Sequence, residues 1–350
     1  MQMPTVYDDD ILNVEGGSHP DGTATRTTVY SIVYPPVGFF PFAGTGNGDY
    51  HGFYWPIGRE HGPAQVAYSS HDAYALIPEH GDLTSAGRCQ LARDEDRMLT
   101  YEFESAFDAA NVPRPTINIS DVVAADDHKQ LLAFDPDSPF RNCAVADQLI
   151  GENSLEAAEL HYRRAIELLP EYGAAHFGLG YLLRRTRRPS EASIHLRHSL
   201  MCPLAFSGGC FWADHILPGS FRPEWARKAL LWLQQTKELE DSLRDDPFML
   251  NVRELTLNTG VAESRDIELS LEMVNEYRRR GQFLDAVFIW ITVGDRAALE
   301  TTSFRERYGI SARSFGNRLA ALFRDAGIDR RAQLVDNMLS RMEQPEGLYL

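Results

Sequence analysis

Four histidines with acidic neighbours lie close together in the N-terminal part of the sequence, a pattern that raises the question of a metal site. The set comprises His51, His61, His71 and His80, with Asp49, Glu60, Asp72 and Glu79 beside them. Imidazole and carboxylate groups are zinc ligands, but zinc sites have characteristic short ligand spacings. This stretch contains no H-E-x-x-H motif and no histidine pair at helical spacing. We therefore expect surface or turn-capping roles for these residues and no bound metal.

Signatures of covalent catalysis and phosphate binding are missing from the sequence. Residues 207–210 read SGGC, which is not a G-x-S-x-G nucleophile elbow. The glycine-rich stretch 38–58 has Asp49 where a dinucleotide fingerprint needs its third glycine, and it continues into aromatic residues. Asn47-Gly48 instead predicts a hairpin turn, because both residues tolerate positive φ. We expect no catalytic residues, no cofactor and no enzymatic activity.

The composition indicates an ordinary globular protein. Of its 350 residues 43% are hydrophobic and 24% charged, and no run of 18 apolar residues occurs. We therefore expect no membrane segment. The cysteines at positions 89, 143, 202 and 210 lack C-x-x-C spacing. This favours small buried side chains in a reducing cytoplasm.

The negative charge is concentrated in the N-terminal part. Residues 1–138 hold 21 acidic and 7 basic residues, a balance of −14 within a total of −16. A field of this sign attracts basic proteins and repels nucleic acid. The alternative explanation is that the charge serves solubility alone.

The residue composition and the spacing of apolar residues change near residue 120. Before it, glycine, proline and aromatic residues surround β-like runs at 27–33 (TTVYSIV) and 64–68 (AQVAY). After Pro139, apolar residues recur at spacings of three and four, which predicts helices. Between them, DPDS at 135–138 predicts a turn that leads into a helix. We expect an α+β domain at 1–125, a junction at 126–138, an all-α array at 139–300 and a helical cap at 301–350.

The helical part contains an internal repeat. In residues 151–170, Ala158, Tyr162 and Ala165 stand before a closing proline, which resembles the second helix of a tetratricopeptide repeat (TPR). The next 34 residues repeat the scheme, with Leu179 and Gly180 in a first helix and Ala192 in a second. We expect these small residues at close helix contacts, in a stack whose concave face binds protein.

Two further segments carry weaker patterns. A degenerate third copy is predicted at 274–291, where Gly281, Ala286 and Trp290 keep the spacing. Residues 304–323 (FRERYGISARSFGNRLAALF) have the shape of a helix-turn-helix with Arg313 and Arg318 outward. The alternatives for this segment are DNA binding and a plain terminal cap, and the acidic chain favours the cap.

The N-terminal part carries four short motifs: F-P-F-A at 40–43, the run Gly48, Asp49 and Tyr50, G-P-A-Q-V at 62–66, and the pair His71 and Asp72. In these motifs it resembles the SUKH superfamily of Smi/Knr-type domains. The resemblance implies an α+β binding domain without a catalytic site, in a superfamily that includes many bacterial immunity proteins. It also implies that residues 38–58 form a strand, a turn and a strand.

Together these patterns predict a protein that binds another protein. The first hypothesis is an immunity-type protein that neutralises a basic toxin by covering it with an acidic surface. The second is a TPR scaffold or transcriptional regulator that uses its C-terminal helices, with DNA contacted through 304–323.

Overall fold

The structure is a computed structural model, and it describes residues 2–5, 32–45, 47–94, 96–118, 122–208, 224–237, 239–252, 264–299, 306 and 308–341. The chain divides into two compact units. Unit 1 holds Met1–Tyr30 and Gly38–Pro170, and unit 2 holds Ser31–Val37 and Glu171–Leu350. The domain bounds at 125 and 138 stay a prediction. In the described ranges, no helix has both the length and the apolar character needed to cross a bilayer.

In unit 1, four strands form one antiparallel sheet in sequential order. They are β1 (Phe39–Gly44), β2 (Tyr50–Tyr54), β3 (Gln65–Ser70) and β4 (Ala75–His80). The β-like run at 64–68 is thus confirmed as part of β3. The other predicted run, at 27–33, is only partly described. Residues 27–31 lie outside the described ranges, and residues 32 and 33 do not belong to a strand.

Two glycines allow β1 and β2 to pair and turn. Gly52 lies opposite Pro41, where a Cβ would be 2.5 Å from the Phe39 ring and 2.6 Å from the Phe40 carbonyl oxygen. Of the predicted turn residues, only Gly48 has positive φ, at 96°. Asn47 contributes its side chain instead, because its Oδ1 accepts a hydrogen bond from the Asp49 amide at 3.2 Å.

Two helices pack on the sheet and close its core. The helices before the repeats are α1 (Leu83–Arg93), α2 (Tyr101–Ala109) and α3 (His128–Leu131). Asp82 caps α1 by accepting from the Ser85 amide at 2.7 Å. The shared core joins Val66 of β3 to Ala86 of α1 and Phe107 of α2. The sheet and these helices confirm the predicted α+β class.

The first helical hairpin of the repeats also belongs to unit 1. It consists of α4 (Pro139–Gly151) and α5 (Leu155–Leu168). Ser138 caps α4, since its Oγ accepts from the Arg141 amide at 3.0 Å, which confirms the predicted turn into a helix. Ala158, Tyr162 and Ala165 of α5 are fully buried, and the Tyr162 hydroxyl donates to Asp147 of α4.

Unit 2 begins with a second hairpin of the same type. It consists of α6 (Gly173–Arg185) and α7 (Pro189–Met201). Leu179 and Ala192 are fully buried, and Gly180 is buried. A Cβ on Gly180 would lie 2.8 Å from Leu196 Cδ2, so a larger residue there would force α6 and α7 apart. The two hairpins confirm the predicted TPR-like helical region.

Further helices complete unit 2. They are α8 (Glu224–Gln235), α9 (Pro247–Asn251), α10 (Ser264–Arg279), α11 (Phe283–Leu299), α12 (Ala312–Asp325) and α13 (Asp329–Arg341). Gly281 turns the chain between α10 and α11 with a φ of 72°, and Ala286 and Trp290 are buried on α11. The degenerate third copy therefore lies on a helical hairpin.

Candidate protein-binding site

The carboxylate of Asp49 joins two loops at one end of the sheet. Its Oδ2 accepts a hydrogen bond from the Tyr68 hydroxyl at 2.6 Å. Its Oδ1 accepts from the His71 amide at 2.9 Å and lies 2.8 Å from His71 Nδ1. A Cβ on Gly48 would lie 3.1 Å from the same ring nitrogen. The structure thus brings Gly48, Asp49 and His71 together, with Asp72 Oδ1 3.1 Å from His71 Nε2 and Tyr50 next along β2.

The pKa values of Asp49 and Tyr68 indicate that this cluster stabilises the fold. Burial raises the pKa of Asp49, but the hydrogen bonds from Tyr68 and His71 outweigh it and hold the pKa at about 2. The same hydrogen bond, followed by burial, raises the pKa of Tyr68 to about 12. The acceptor is therefore fully ionised and the donor fully protonated near neutral pH, which favours a fixed loop over a proton-transfer site.

The other histidines of the N-terminal set have separate surroundings. His51 packs against the rings of Tyr68 and Phe103, and its Nδ1 lies 3.8 Å from Glu79. His61 is exposed. His80 is buried, which corrects the expected surface or turn-capping role. Only His80 of the four joins a group of close potential metal ligands in the described ranges.

That group is a buried polar cluster with Cys89 and Asp135. His80 Nδ1 lies 2.8 Å from Asp135 Oδ2, and Asp135 Oδ1 accepts from the Gly81 amide at 3.1 Å. Burial raises the pKa of the Cys89 thiol to about 11, although the nearby Arg141 opposes that shift. Metal binding needs the thiolate, and the positive charge of Arg141 disfavours a cation. The arrangement therefore suits a buried hydrogen-bonded pair that fixes β4 to the segment before α4.

A half-exposed aromatic surface lies on α6 and α8 in unit 2. We call it the α6–α8 surface and define it by Phe177, Tyr181 and Arg184 of α6 and by Trp225 and Trp232 of α8. The Phe177 ring centroid lies 4.8 Å from that of Trp225 and 6.1 Å from that of Trp232. Tyr181, 6.2 Å from Trp232, is 40% exposed. These rings form a continuous row that remains partly open to solvent.

The edge of this surface is basic. The Arg184 guanidinium carbon lies 4.8 Å from the Trp232 ring centroid, within the range of a cation–π contact. The end of α6 and the turn that follows it read RRTRR at 184–188. From 173 to 201 the hairpin holds five arginines and a single acidic residue, Glu191, a balance of +4. Of these arginines, Arg197 is buried against Asp246 and Asp285, and Arg188 pairs with Glu191. The basic group that lies on the α6–α8 surface is therefore Arg184.

The predicted DNA-binding segment is only partly described. Most of its first helix, at residues 304, 305 and 307, lies outside the described residues, and its second helix is α12. Arg313 is exposed. Arg318 is half-exposed; its guanidinium carbon lies 4.6 Å from the Trp290 ring centroid, and it donates to Asn275 Oδ1 at 2.6 Å. One of the two arginines needed for a DNA contact is thus used within the protein.

The fold and these sites define a class of protein: a small α+β region followed by helical hairpins of the tetratricopeptide type. A family model described as the YfbP N-terminal domain matches residues 18–99, which include the sheet and α1. "Uncharacterized protein YfbP" from Escherichia coli (strain K12) is 24% identical over 281 residues, 79% of this chain and 83% of that protein.

A solved structure gives a weaker similarity. It is titled "Crystal structure of YrrB: a TPR protein with an unusual peptide-binding site", and it is 14% identical, with a TM-score of 0.24, covering 63% of this chain and 95% of that one. A TM-score this low does not define a common arrangement of helices. The assignment of hairpins therefore rests on the structure described above, and the SUKH resemblance stays a prediction.

Sequence reasoning missed the α6–α8 surface, although a signal was present. Phe177, Tyr181 and Arg184 stand at spacings of four and three, and Trp225 and Trp232 are seven apart. Each set lies on one helix face. The aromatic residues of one face usually pack into a core, and only the structure shows that these rings are half-exposed.

Proposed function

We propose that this protein is a non-enzymatic binding protein that holds an acidic segment of another protein on the α6–α8 surface. The observation that carries the proposal is the row of partly open aromatic rings with Arg184 at its edge. Trp, Tyr and Arg dominate binding energy at protein interfaces. The guanidinium of Arg184 at the edge of the rings favours a partner of negative charge.

The absence of enzymatic activity belongs to the same proposal. In the described ranges, the titratable clusters of the sheet are engaged in hydrogen bonds that fix their own backbone. Asp49 binds Tyr68 and His71, and Asp135 binds His80 and the Gly81 amide. This supports a structural use of both carboxylates.

The test is binding of a partner captured from the native cell, measured with purified components. We expect Tyr181→Ala to weaken binding at least tenfold, about 1.4 kcal/mol, because the ring is both an anchor and accessible. Tyr101→Ala is the matched control, since Tyr101 is 79% exposed in unit 1. Equal affinity of the Tyr181→Ala variant and the wild type would reject the surface.

Charge provides an independent arm of the test. Arg184→Glu should weaken binding and reduce its dependence on salt, because one attractive charge is reversed. Arg88→Glu makes the same change on the exposed face of α1 in unit 1 and should have little effect. If both substitutions act alike, only the net charge of the protein matters.

A second candidate function is an immunity-type protein that neutralises a basic toxin by steric and electrostatic occlusion. The balance of −14 in residues 1–138 favours it, as does the resemblance to the SUKH superfamily. In that case, neutralising three exposed acids by Asp72→Asn, Glu102→Gln and Asp126→Asn should slow association, while Arg184→Glu leaves it unchanged. The opposite pattern would remove this candidate.

A further inference from the structure

Three histidines meet inside the second helical hairpin. His176 lies on α6, and His195 and His198 lie one turn apart on α7. The ring centroid of His176 is 5.4 Å from that of His195 and 5.2 Å from that of His198. No sequence motif pointed to this group, because its members come from two helices.

The closest contact is between two ring nitrogens. His176 Nδ1 and His195 Nδ1 lie 3.2 Å apart. Two nitrogens bound to one tetrahedral zinc ion at about 2.0–2.1 Å are about 3.3 Å apart. An ion could therefore replace the shared proton at this separation, with each ring turned so that its Nδ1 lone pair points at the ion.

The third ring holds the first in place. His198 stacks on His176 with an angle of 17° between the planes. Its Nδ1 lies 2.8 Å from the Ile194 carbonyl oxygen, an acceptor, so Nδ1 carries the proton and the ring orientation is fixed. A ligand histidine commonly depends on such neighbours for its orientation.

The surroundings permit a cation to enter. His176 is buried, whereas His195 is half-exposed and gives access from solvent. Arg197 stands between His195 and His198 on α7. Its guanidinium donates to the Asp246 carboxylate at 2.9 and 2.7 Å and to Asp285 Oδ1 at 3.0 Å. Its positive charge is thereby balanced.

We propose that His176 and His195 bind one divalent transition-metal ion of the zinc type between their Nδ1 atoms, with His198 as a positioning residue. Imidazole ligands suit zinc, nickel and copper and not magnesium. A hydrogen bond between two neutral imidazoles accounts for the same distance, and the two explanations differ in their response to added metal.

The test uses tag-free full-length protein titrated with Zn²⁺ by calorimetry, with Mg²⁺ as the negative control. We expect one Zn²⁺ per chain and a rise in Tm on saturation, because the ion binds the folded state. His195→Asn should weaken binding at least tenfold. His61→Asn is the matched control, since His61 is exposed, and it should leave the isotherm unchanged.

A second substitution separates loss of a ligand from loss of packing. His195→Asp places a carboxylate oxygen at the same distance from Cβ as Nδ1, so it should retain most of the affinity that His195→Asn loses. Thermal melts without metal show that both variants fold. Failure of the wild type to bind Zn²⁺ at submillimolar concentration, or equal binding by the His195→Asn variant, would overturn the proposal.

Discussion

Asp49 shows how one carboxylate stabilises two loops. It is buried, yet its pKa is held at about 2, because hydrogen bonds from Tyr68 and His71 favour the charged form more than burial disfavours it. The folded-state pKa lies below the unfolded value of about 3.9. Its contribution to stability is therefore fully present above the unfolded pKa and is lost as the pH falls from about 4 to about 2.

We predict that Asp49→Asn destabilises the protein by about 1–2 kcal/mol at pH 7, since charged hydrogen bonds are replaced by neutral ones. The difference between variant and wild type should shrink between pH 4 and pH 2, as the wild-type carboxylate becomes protonated. Urea unfolding at a series of pH values measures both effects. Asp72→Asn, at a side chain 82% exposed, is the control, and a pH-independent difference would contradict this account.

At the scale of elements, each hairpin depends on small residues at its helix contact. Ala158 of α5 is fully buried. We predict that Ala158→Leu destabilises unit 1 by about 1–3 kcal/mol through overpacking. Chemical denaturation measures the change. Ala157→Leu adds the same atoms at the neighbouring half-exposed position and should change stability by much less, so equal effects would refute the packing.

A buried arginine connects several helices of unit 2. Arg197 of α7 binds Asp246 before α9 and Asp285 of α11, and it donates to the Tyr277 hydroxyl of α10 at 2.9 Å. Because the guanidinium and the Asp246 carboxylate are both buried, each needs the other as a partner.

We predict that Arg197→Met costs about 3–5 kcal/mol, because it leaves the Asp246 carboxylate buried without its cation. Equilibrium unfolding provides the measurement. The same substitution at Arg279, which is exposed on α10, serves as the control. A loss no greater than that of Arg279→Met would mean that solvent reaches the Asp246 carboxylate.

The sequence predicted elements better than it predicted their contacts. A β-like run of residues correctly indicated β3, and helical periodicity correctly indicated the two repeat hairpins, since both are local properties of the sequence. Arg197 and the α6–α8 surface were missed, because their partners are distant in sequence. Trp232 is 48 residues from Arg184, and no local pattern encodes such a pair.

At the scale of the whole molecule, negative and positive charge are separated along the chain. Residues 1–138 hold a balance of −14, whereas the hairpin at 173–201 holds +4. The sequence revealed the first of these and predicted a basic partner from it. The positive balance of the hairpin could be interpreted only from the structure, which places Arg184 over the half-exposed ring of Trp232. A charge attracts a partner only where it lies at the surface that the partner contacts.

The burial of three cysteines gives this protein internal reporters of local opening. Cys89 and Cys143 of unit 1 and Cys202 of unit 2 are buried, so an alkylating reagent reaches their sulfur atoms only after that part of the structure opens. Under slow labelling, the rate at each thiol follows the free energy of that opening. Peptide mass spectrometry after timed exposure to iodoacetamide would therefore measure the two units separately in one sample. Ala158→Leu should accelerate labelling of Cys143, and Arg197→Met that of Cys202.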